Sequence, residues 1–475
     1  MRDKVRYEFS LLLLFFMIAS CRSVHQVSPR VMGAPGEVQF ITLDPGHFHA
    51  ALIHKKMYPT VSPQVHIFAP DGPDVRDHLQ RLEAYNRRSD EPTHWEPILY
   101  LGDDFLERML RVRPGNVVVI AGNNRRKTEY IKACAAAGLH VLADKPMCID
   151  RKGFDLLRTS FELAQRNHVV LYDIMTERYE ITTMLQKELI HMPDVFGELQ
   201  SGSPESPAIV KQSVHHFFKY VSGQPLKRPG WYFDITQQGD GLVDVTTHLV
   251  DLVQWECFPE QSIDFERDIQ LIAARHWPTV LTRDQFQLVT RLADFPEYLS
   301  PYLNDSGELA VFANGEMVYQ IRGIYARIAV SWEFQAPENG GDIHYSLMRG
   351  SASNVVIRQG KEQNFRPELY IEPSDLGQRD AIAAALERAI RQLQSRYPGI
   401  SLRATSQGWQ ILIPDRFRVG HEAHFAQVTE KFLQFLRQGK LPDWELTNML
   451  AKYHTTTAAL ELALKSDSSA KAPKQ

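Results

Sequence analysis

Two groups of residues in this chain have types and spacings suited to moving protons. The first is Asp144-Lys145-Pro146, at the end of the apolar stretch His140-Val141-Leu142-Ala143. A lysine at the carboxyl end of a buried strand, held by the following proline, presents its ammonium at the edge where open α/β sheets bind ligands. The second is Asp244, His248 and Asp251, spaced i, i+4 and i+7, which on a helix form one stripe of one face. Leu242, Val243, Val245, Leu249, Val250, Leu252 and Val253 surround that stripe with apolar side chains. Such a helix is buried, so the carboxylates and imidazole within it must be paired or reactive. His248 is of a type that titrates near neutrality and suits general-base work. Between the groups runs His215-His216-Phe217-Phe218-Lys219-Tyr220. Adjacent histidines face different ways on helix or strand, so this pair is a poor metal site. Its aromatic and hydrogen-bonding groups suit a sugar, with His216 as a contact, although ordinary core packing explains them slightly better.

The elements that must position these residues follow from periodicity. Runs that are apolar throughout, at Val38–Leu43, Val65–Phe68, Ile98–Leu101, Val117–Ala121 and Val141–Leu142, alternate with helical stretches such as Ala50–Lys56, Phe105–Val112 and Lys127–Ala137. This predicts α/β architecture, an N-terminal Rossmann-like, doubly wound parallel sheet covered on both faces. The first strand leads into Asp44-Pro45-Gly46-His47-Phe48-His49, a strand-to-helix turn placed to meet a pyrophosphate with Gly46, His47 and Phe48. Only the middle glycine of G-x-G-x-x-G is present, since Asp44 and His49 stand in for the others. Asp71 ends the second strand, where a carboxylate binds ribose hydroxyls and favours NAD over NADP. Gly122 and Asn124 end the fourth. Later segments, Ile269–Ala274, Glu308–Ala313, Met317–Ile321, Ala326–Phe334 and Asn354–Arg358, read as longer antiparallel strands, with a turn at Ala313-Asn314-Gly315. The expected domains are 37–160 (dinucleotide-binding) and 161–450 (α+β, mostly antiparallel open sheet), residues 373–450 being an extension of the latter. A tail over 451–475 is expected to be disordered from about 466.

The segment Ala137-Gly138-Leu139-His140-Val141-Leu142-Ala143-Asp144-Lys145-Pro146 resembles the AGKHVLxEKP signature of the glucose–fructose oxidoreductase/inositol dehydrogenase (Gfo/Idh/MocA) family, with Asp144 for its glutamate. Residues 239–251 resemble the same family's G-G-x-x-x-D-x-G-x-H-x-x-D segment, with Thr246 for a glycine. The resemblance covers residues 38–260 and is loose beyond about 360. It implies Lys145, His248 and Asp244 as catalytic residues, with Lys145 and Pro146 also at the cofactor. It further implies Arg178, Tyr179, Trp231 and Asp234 at the substrate. The implied activity is NAD(P)-dependent oxidation of a secondary hydroxyl on a sugar or sugar derivative. The alternatives are an NAD-dependent glycosidase working by oxidation, elimination and reduction, a non-catalytic sugar-binding protein, and a metal hydrolase using His215, His216 and His248.

The N-terminus adds a location. Arg2, Lys4 and Arg6 precede a short apolar run ending in Ile18-Ala19-Ser20-Cys21, the pattern of a secretory signal with a bacterial lipobox. Residues 1–21 are then a signal, Cys21 the lipidated residue and 22–36 a tether. This predicts a lipoprotein anchored in the membrane, on the periplasmic side. Free dinucleotide is scarce there, so NAD or NADP, with NAD favoured, is expected to be tightly bound. A net charge of −4 across 475 residues gives no reason to expect nucleic acid as partner. Homo-oligomerisation through the open sheet is implied by the family, and no resident metal is expected. Cys134, Cys148 and Cys257 read as buried thiols.

Overall fold

The computed structural model describes residues 32–221, 224–337 and 340–471. The signal segment, the lipobox and Cys21 lie outside the described residues. The N-terminal half forms strands β1 (Val38–Leu43), β2 (Val61–Ala69), β3 (Glu96–Leu101), β4 (Val117–Ile120), β5 (His140–Asp144) and β6 (Leu171–Ile174). Between them run helices α1 (His49–Leu52), α2 (Pro73–Arg87), α3 (Phe105–Val112), α4 (Lys127–Ala136) and α5 (Arg151–Arg166). The sheet is parallel throughout, in the order β3-β2-β1-β4-β5-β6, the doubly wound order with its reversal between β1 and β4. Every residue of β4 and β5 is buried, because helices cover both faces. Burying each apolar side chain of such strands contributes about 1.5–3 kcal/mol. The first sheet therefore extends past residue 160, to the end of β6.

The rest of the chain supplies α6 (Ile181–Ile190), α7 (Pro193–Phe196), β7 (Ile209–Phe218), the short pair β8 (Tyr220–Val221) and β9 (Gln224–Pro225), α8 (Thr246–Cys257), β10 (Ile269–Leu281) and α9 (Arg283–Thr290). Then follow β11 (Leu309–Ile321), β12 (Ile324–Gln335), β13 (Ile343–Arg349), β14 (Ser353–Arg358), β15 (Glu368–Pro373), α10 (Arg379–Leu393), β16 (Ser401–Ala404), β17 (Trp409–Leu412), α11 (His421–Gln438) and α12 (Asp443–Lys471). Nine strands pair in the order β10-β11-β12-β7-β13-β14-β15-β17-β16. All neighbours are antiparallel except β12 and β7. Burial alternates along β12, so one face is packed and the other is more open.

Three expectations change. Ala313-Asn314-Gly315 is not a turn: β11 runs through it. Asn314 bonds across to Trp277 O, Thr279 Oγ1 and Trp332 N, bridging an irregularity in register between Trp277 and Thr279. Gly315 is required because a Cβ there would stand 2.8 Å from Leu242. The tail is not disordered from 466: α12 continues to Lys471, and Asp467 bonds His276 Nε2 at 3.1 Å. Nor do the C-terminal helices form a mere extension of the second domain. Phe425, Val428, Phe432, Phe435, Leu436, Met449 and Tyr453 enter the core of the first domain, so the chain returns to clamp the two together.

Candidate active site

A cleft of 1460 Å³ opens between the two sheets, against the carboxyl ends of β4 and β5. Because β5 is buried to its last residue, the side chain that follows emerges at the sheet edge. Lys145 Nζ donates to Asp244 Oδ1 at 2.7 Å, with the side chains only 10% and 8% exposed. Asp244 is not in the helix expected for it but in the turn before α8. There its N–H donates to Asp240 O at 3.1 Å and the Asp240 carboxylate accepts from Leu242 N at 2.9 Å. The anticipated stripe therefore divides by partner. Asp244 faces Lys145, His248 faces the cleft, and Asp251 turns into the interior.

His248 differs from expectation in its chemistry. Burial, reinforced by the Lys145 charge, pushes its pKa well below the usual histidine range. It is a neutral ring at physiological pH, with Nδ1 buried and without a partner among the described residues. The group poised near neutrality is Glu177, on the turn after β6. Burial and then Glu180 raise its pKa to about 7, while Lys145 pulls the other way. Glu177 lines the cleft and its side chain retains 36% exposure, so it can exchange protons with bound ligand or water. Sequence reading passed over it; the available signal was a carboxylate just beyond the carboxyl end of a core strand.

The turn after β1 brings a second cluster into the same cleft. His49 Nδ1 lies 2.9 Å from Asp144 Oδ2, and His47 Nδ1 lies 3.9 Å from the same oxygen. Burial pushes the pKa of both rings well down. The opposite wall is aromatic and basic: the Arg228 guanidinium lies 4.5 Å from the Tyr232 ring centre and 5.1 Å from that of Trp332. His215, His216 and Lys219 all contact the Asp342 carboxylate. Although burial alone raises that carboxyl's pKa, the bonds from His215 and His216 hold it below the ordinary carboxylate range.

With this geometry in view, residues 185–464 match the family described as "Putative oxidoreductase C terminal domain", more than half of the chain. The chain belongs to this oxidoreductase family. It is 53% identical to a protein of Parabacteroides merdae, itself described as a "putative oxidoreductase". That crystal structure superposes with a TM-score of 0.90 over 92% of this chain and 99% of the other. Gfo/Idh/MocA-type structures share the fold at low identity. A levoglucosan dehydrogenase in complex with NADH and levoglucosan is 13% identical over 90% of this chain and 97% of its own, with a TM-score of 0.56. KijD10, a 3-ketoreductase from Actinomadura kijaniata bound to NADP and TDP-benzene, is 14% identical over the same shares, with a TM-score of 0.53. No curated protein matches the chain.

In this oxidoreductase the remaining sequence-derived residues divide sharply. His47, Phe48, Gly122, Asn124 and Lys145 line the cleft. Gly122 is obligatory, since a Cβ there would stand 2.2 Å from Asp44 O. Asn124 is tied to the second domain: its backbone N–H donates to Gln237 O at 2.8 Å and its Nδ2 donates to Gln238 O at 2.6 Å. Pro146 is buried behind Lys145 and outside the cleft wall. Gly46 and Asp71 also lie off that wall. Asp71 is exposed and paired with Arg76 at 2.5 Å, while Gly46 is covered by Trp231.

Of the predicted substrate contacts, none of the five forms the cleft wall. Trp231 instead donates from Nε1 to Asp74 at 3.0 Å, and Asp234 accepts from Arg125, Thr236 and Gln237. Both fasten the domains together. Arg178 is a buried anchor, bidentate to Asp251 at 2.7 Å and bonded to Glu445 at 2.8 Å. Lys452 completes this network from α12 through Asp251 and Asp173. Tyr179 packs on the first domain's core. His216 is 1% exposed and bonds Asp342, leaving its neighbour His215 to face the cleft. His215, His216 and His248 do not converge on a common metal position; among the described residues the group that does is His47, His49 and Asp144.

Proposed function

We propose that this oxidoreductase transfers a hydride between a tightly held nicotinamide dinucleotide, NAD in preference to NADP, and a secondary hydroxyl or carbonyl of a sugar or sugar derivative. The observation that carries the reading is the Lys145–Asp244 pair at the end of β5, inside a cleft at the ligand-binding edge of a doubly wound sheet. The donor set fits the nicotinamide end of such a cofactor. Gly122 and Asn124 after β4, Lys145 after β5 and the His47-Phe48 turn would hold it, whereas Asp71, two residues past β2, would meet a ribose only by leaving Arg76. When bound, the nicotinamide supplies hydride transfer.

The chain's own residues do the rest. Lys145 binds the substrate oxygen, and Asp244 keeps that ammonium aligned. Glu177, with its pKa near the working pH, takes the hydroxyl proton in oxidation or returns it in reduction. The neutral His248 ring directs the same oxygen through a hydrogen bond. Arg228, Tyr232 and Trp332 offer the mixture of ring faces and donors that sugars require. The levoglucosan and L-sorbose bound by levoglucosan dehydrogenase support a sugar-type substrate. A signal and lipobox ending at Cys21 support a periplasmic, membrane-anchored enzyme, and the more open face of the nine-stranded sheet offers a surface for self-association. The experiment is a mass spectrum of small molecules released by denaturing protein purified natively. A nicotinamide dinucleotide near one per chain is expected, and its absence together with failure to bind added NAD or NADP overturns the reading.

A further inference from the structure

We infer that His47, His49 and Asp144 form a binding site for a divalent transition-metal ion, open to the cleft beside Lys145. One nitrogen from each histidine and one carboxylate oxygen lie within 4.8 Å of one another. Zinc–ligand bonds of about 2.0–2.2 Å set ligand atoms roughly 3.3 Å apart in a tetrahedron. The distances from Asp144 Oδ2 to the two Nδ1 atoms, 2.9 and 3.9 Å, already bracket that value, so small ring rotations complete the set.

The three ligands come from two strand ends that the parallel sheet fixes independently, the turn after β1 and the last residue of β5. Their supports are in place. Lys127 Nζ donates to Asp144 O at 3.0 Å, and Phe425 of α11 packs 4.6 Å from the His49 ring centre. His47 Nδ1 accepts from His49 N–H at 3.4 Å, a long bond that a metal ion would replace. The Lys145 charge, which would repel an ion, is countered by Asp244. Two imidazoles and a carboxylate with the fourth position facing a cleft match a catalytic rather than a structural metal centre. An ion there polarises the substrate oxygen that Lys145 also binds, stabilising negative charge on it without changing the electron balance of hydride transfer. That role rests on the proposed function; the binding of the ion does not.

The test uses the full chain, stripped with a chelator and titrated with Co²⁺, read by visible absorption and by metal analysis after re-addition of Zn²⁺. One equivalent is expected, with a ligand-field band displaced by Zn²⁺ and lost in both His49→Ala and Asp144→Asn. A wild-type protein that takes up no stoichiometric ion overturns the inference, as does a band that survives both substitutions. Should either variant fail to fold, His47→Gln, at a side chain 13% exposed, gives the same comparison. Dinucleotide release, measured on the same preparations, is a separate readout, so loss of one account leaves the other standing.

Discussion

Asp244 and Lys145 form an almost enclosed ion pair, 2.7 Å apart, with 8% and 10% side-chain exposure. Replacing Asp244 with Leu removes the countercharge bonded to Lys145 and leaves its ammonium without that partner. Breaking a buried pair in this way costs about 3–5 kcal/mol. The low end applies because Lys145 borders the cleft and retains some access to water. Lys145→Met leaves the Asp244 carboxylate unpaired and should cost a similar amount. In the double variant neither charge remains, so most of the penalty should disappear, and its loss should fall short of the sum of the two single losses by about 3 kcal/mol or more. Turnover should be lost in all three proteins. The assay is the thermal unfolding midpoint of wild type, both single variants and the double variant, alongside hydride transfer on each. Additive losses of stability would show that the pair is not coupled as described, and turnover by the double variant would remove Lys145 from the chemistry.

Further outcomes follow from the same geometry. Glu177 has a pKa raised to about 7, so kcat/KM for oxidation should rise with pH through about 7 and lose that inflection in Glu177→Gln. A raised carboxyl means the folded state binds more protons than the unfolded one between the two pKa values. Its contribution to stability therefore falls as pH rises over that window, and the same variant should flatten this slope. Arg178→Met should leave Asp251 and Glu445 short of a partner deep in the interior and cost about 3–5 kcal/mol, seen as lower soluble yield and melting temperature; full stability would contradict the anchoring role. Gly122→Ala should weaken dinucleotide binding and lower stability together, because its Cβ meets Asp44 O at 2.2 Å; unchanged binding by calorimetry would contradict the close approach.

The sheet of the first domain was legible because its central runs, such as Val117–Ile120 and Val141–Ala143, are apolar at every position, a pattern that burial on both faces explains. Lys145 was legible for a related reason, since a cation directly after such a run has nowhere to go but the ligand edge. What sequence reading misplaced depends on contacts from distant parts of the chain. Arg178 looks like a substrate clamp until α12 brings Glu445 to it and Lys452 to its partner Asp251. Trp231 looks like a sugar platform until its indole meets Asp74. The Asn314-Gly315 pair carries the local mark of a turn, yet cross-strand bonds and the approach of Leu242 hold it inside a strand. Glu177 and the His47–His49–Asp144 cluster were missed because a shifted pKa and a convergence of ligands belong to the assembled cleft, not to any one segment.

The most direct test loads the protein with NAD and mixes it with a panel of free sugars and glycosides, following the near-ultraviolet absorbance of reduced nicotinamide in one turnover. At least one sugar should raise that band in wild type and none in Lys145→Ala, with dinucleotide still bound to both. If no sugar reduces the cofactor in either direction of assay, or if the lysine variant keeps the wild-type rate, the redox cleft described here is contradicted.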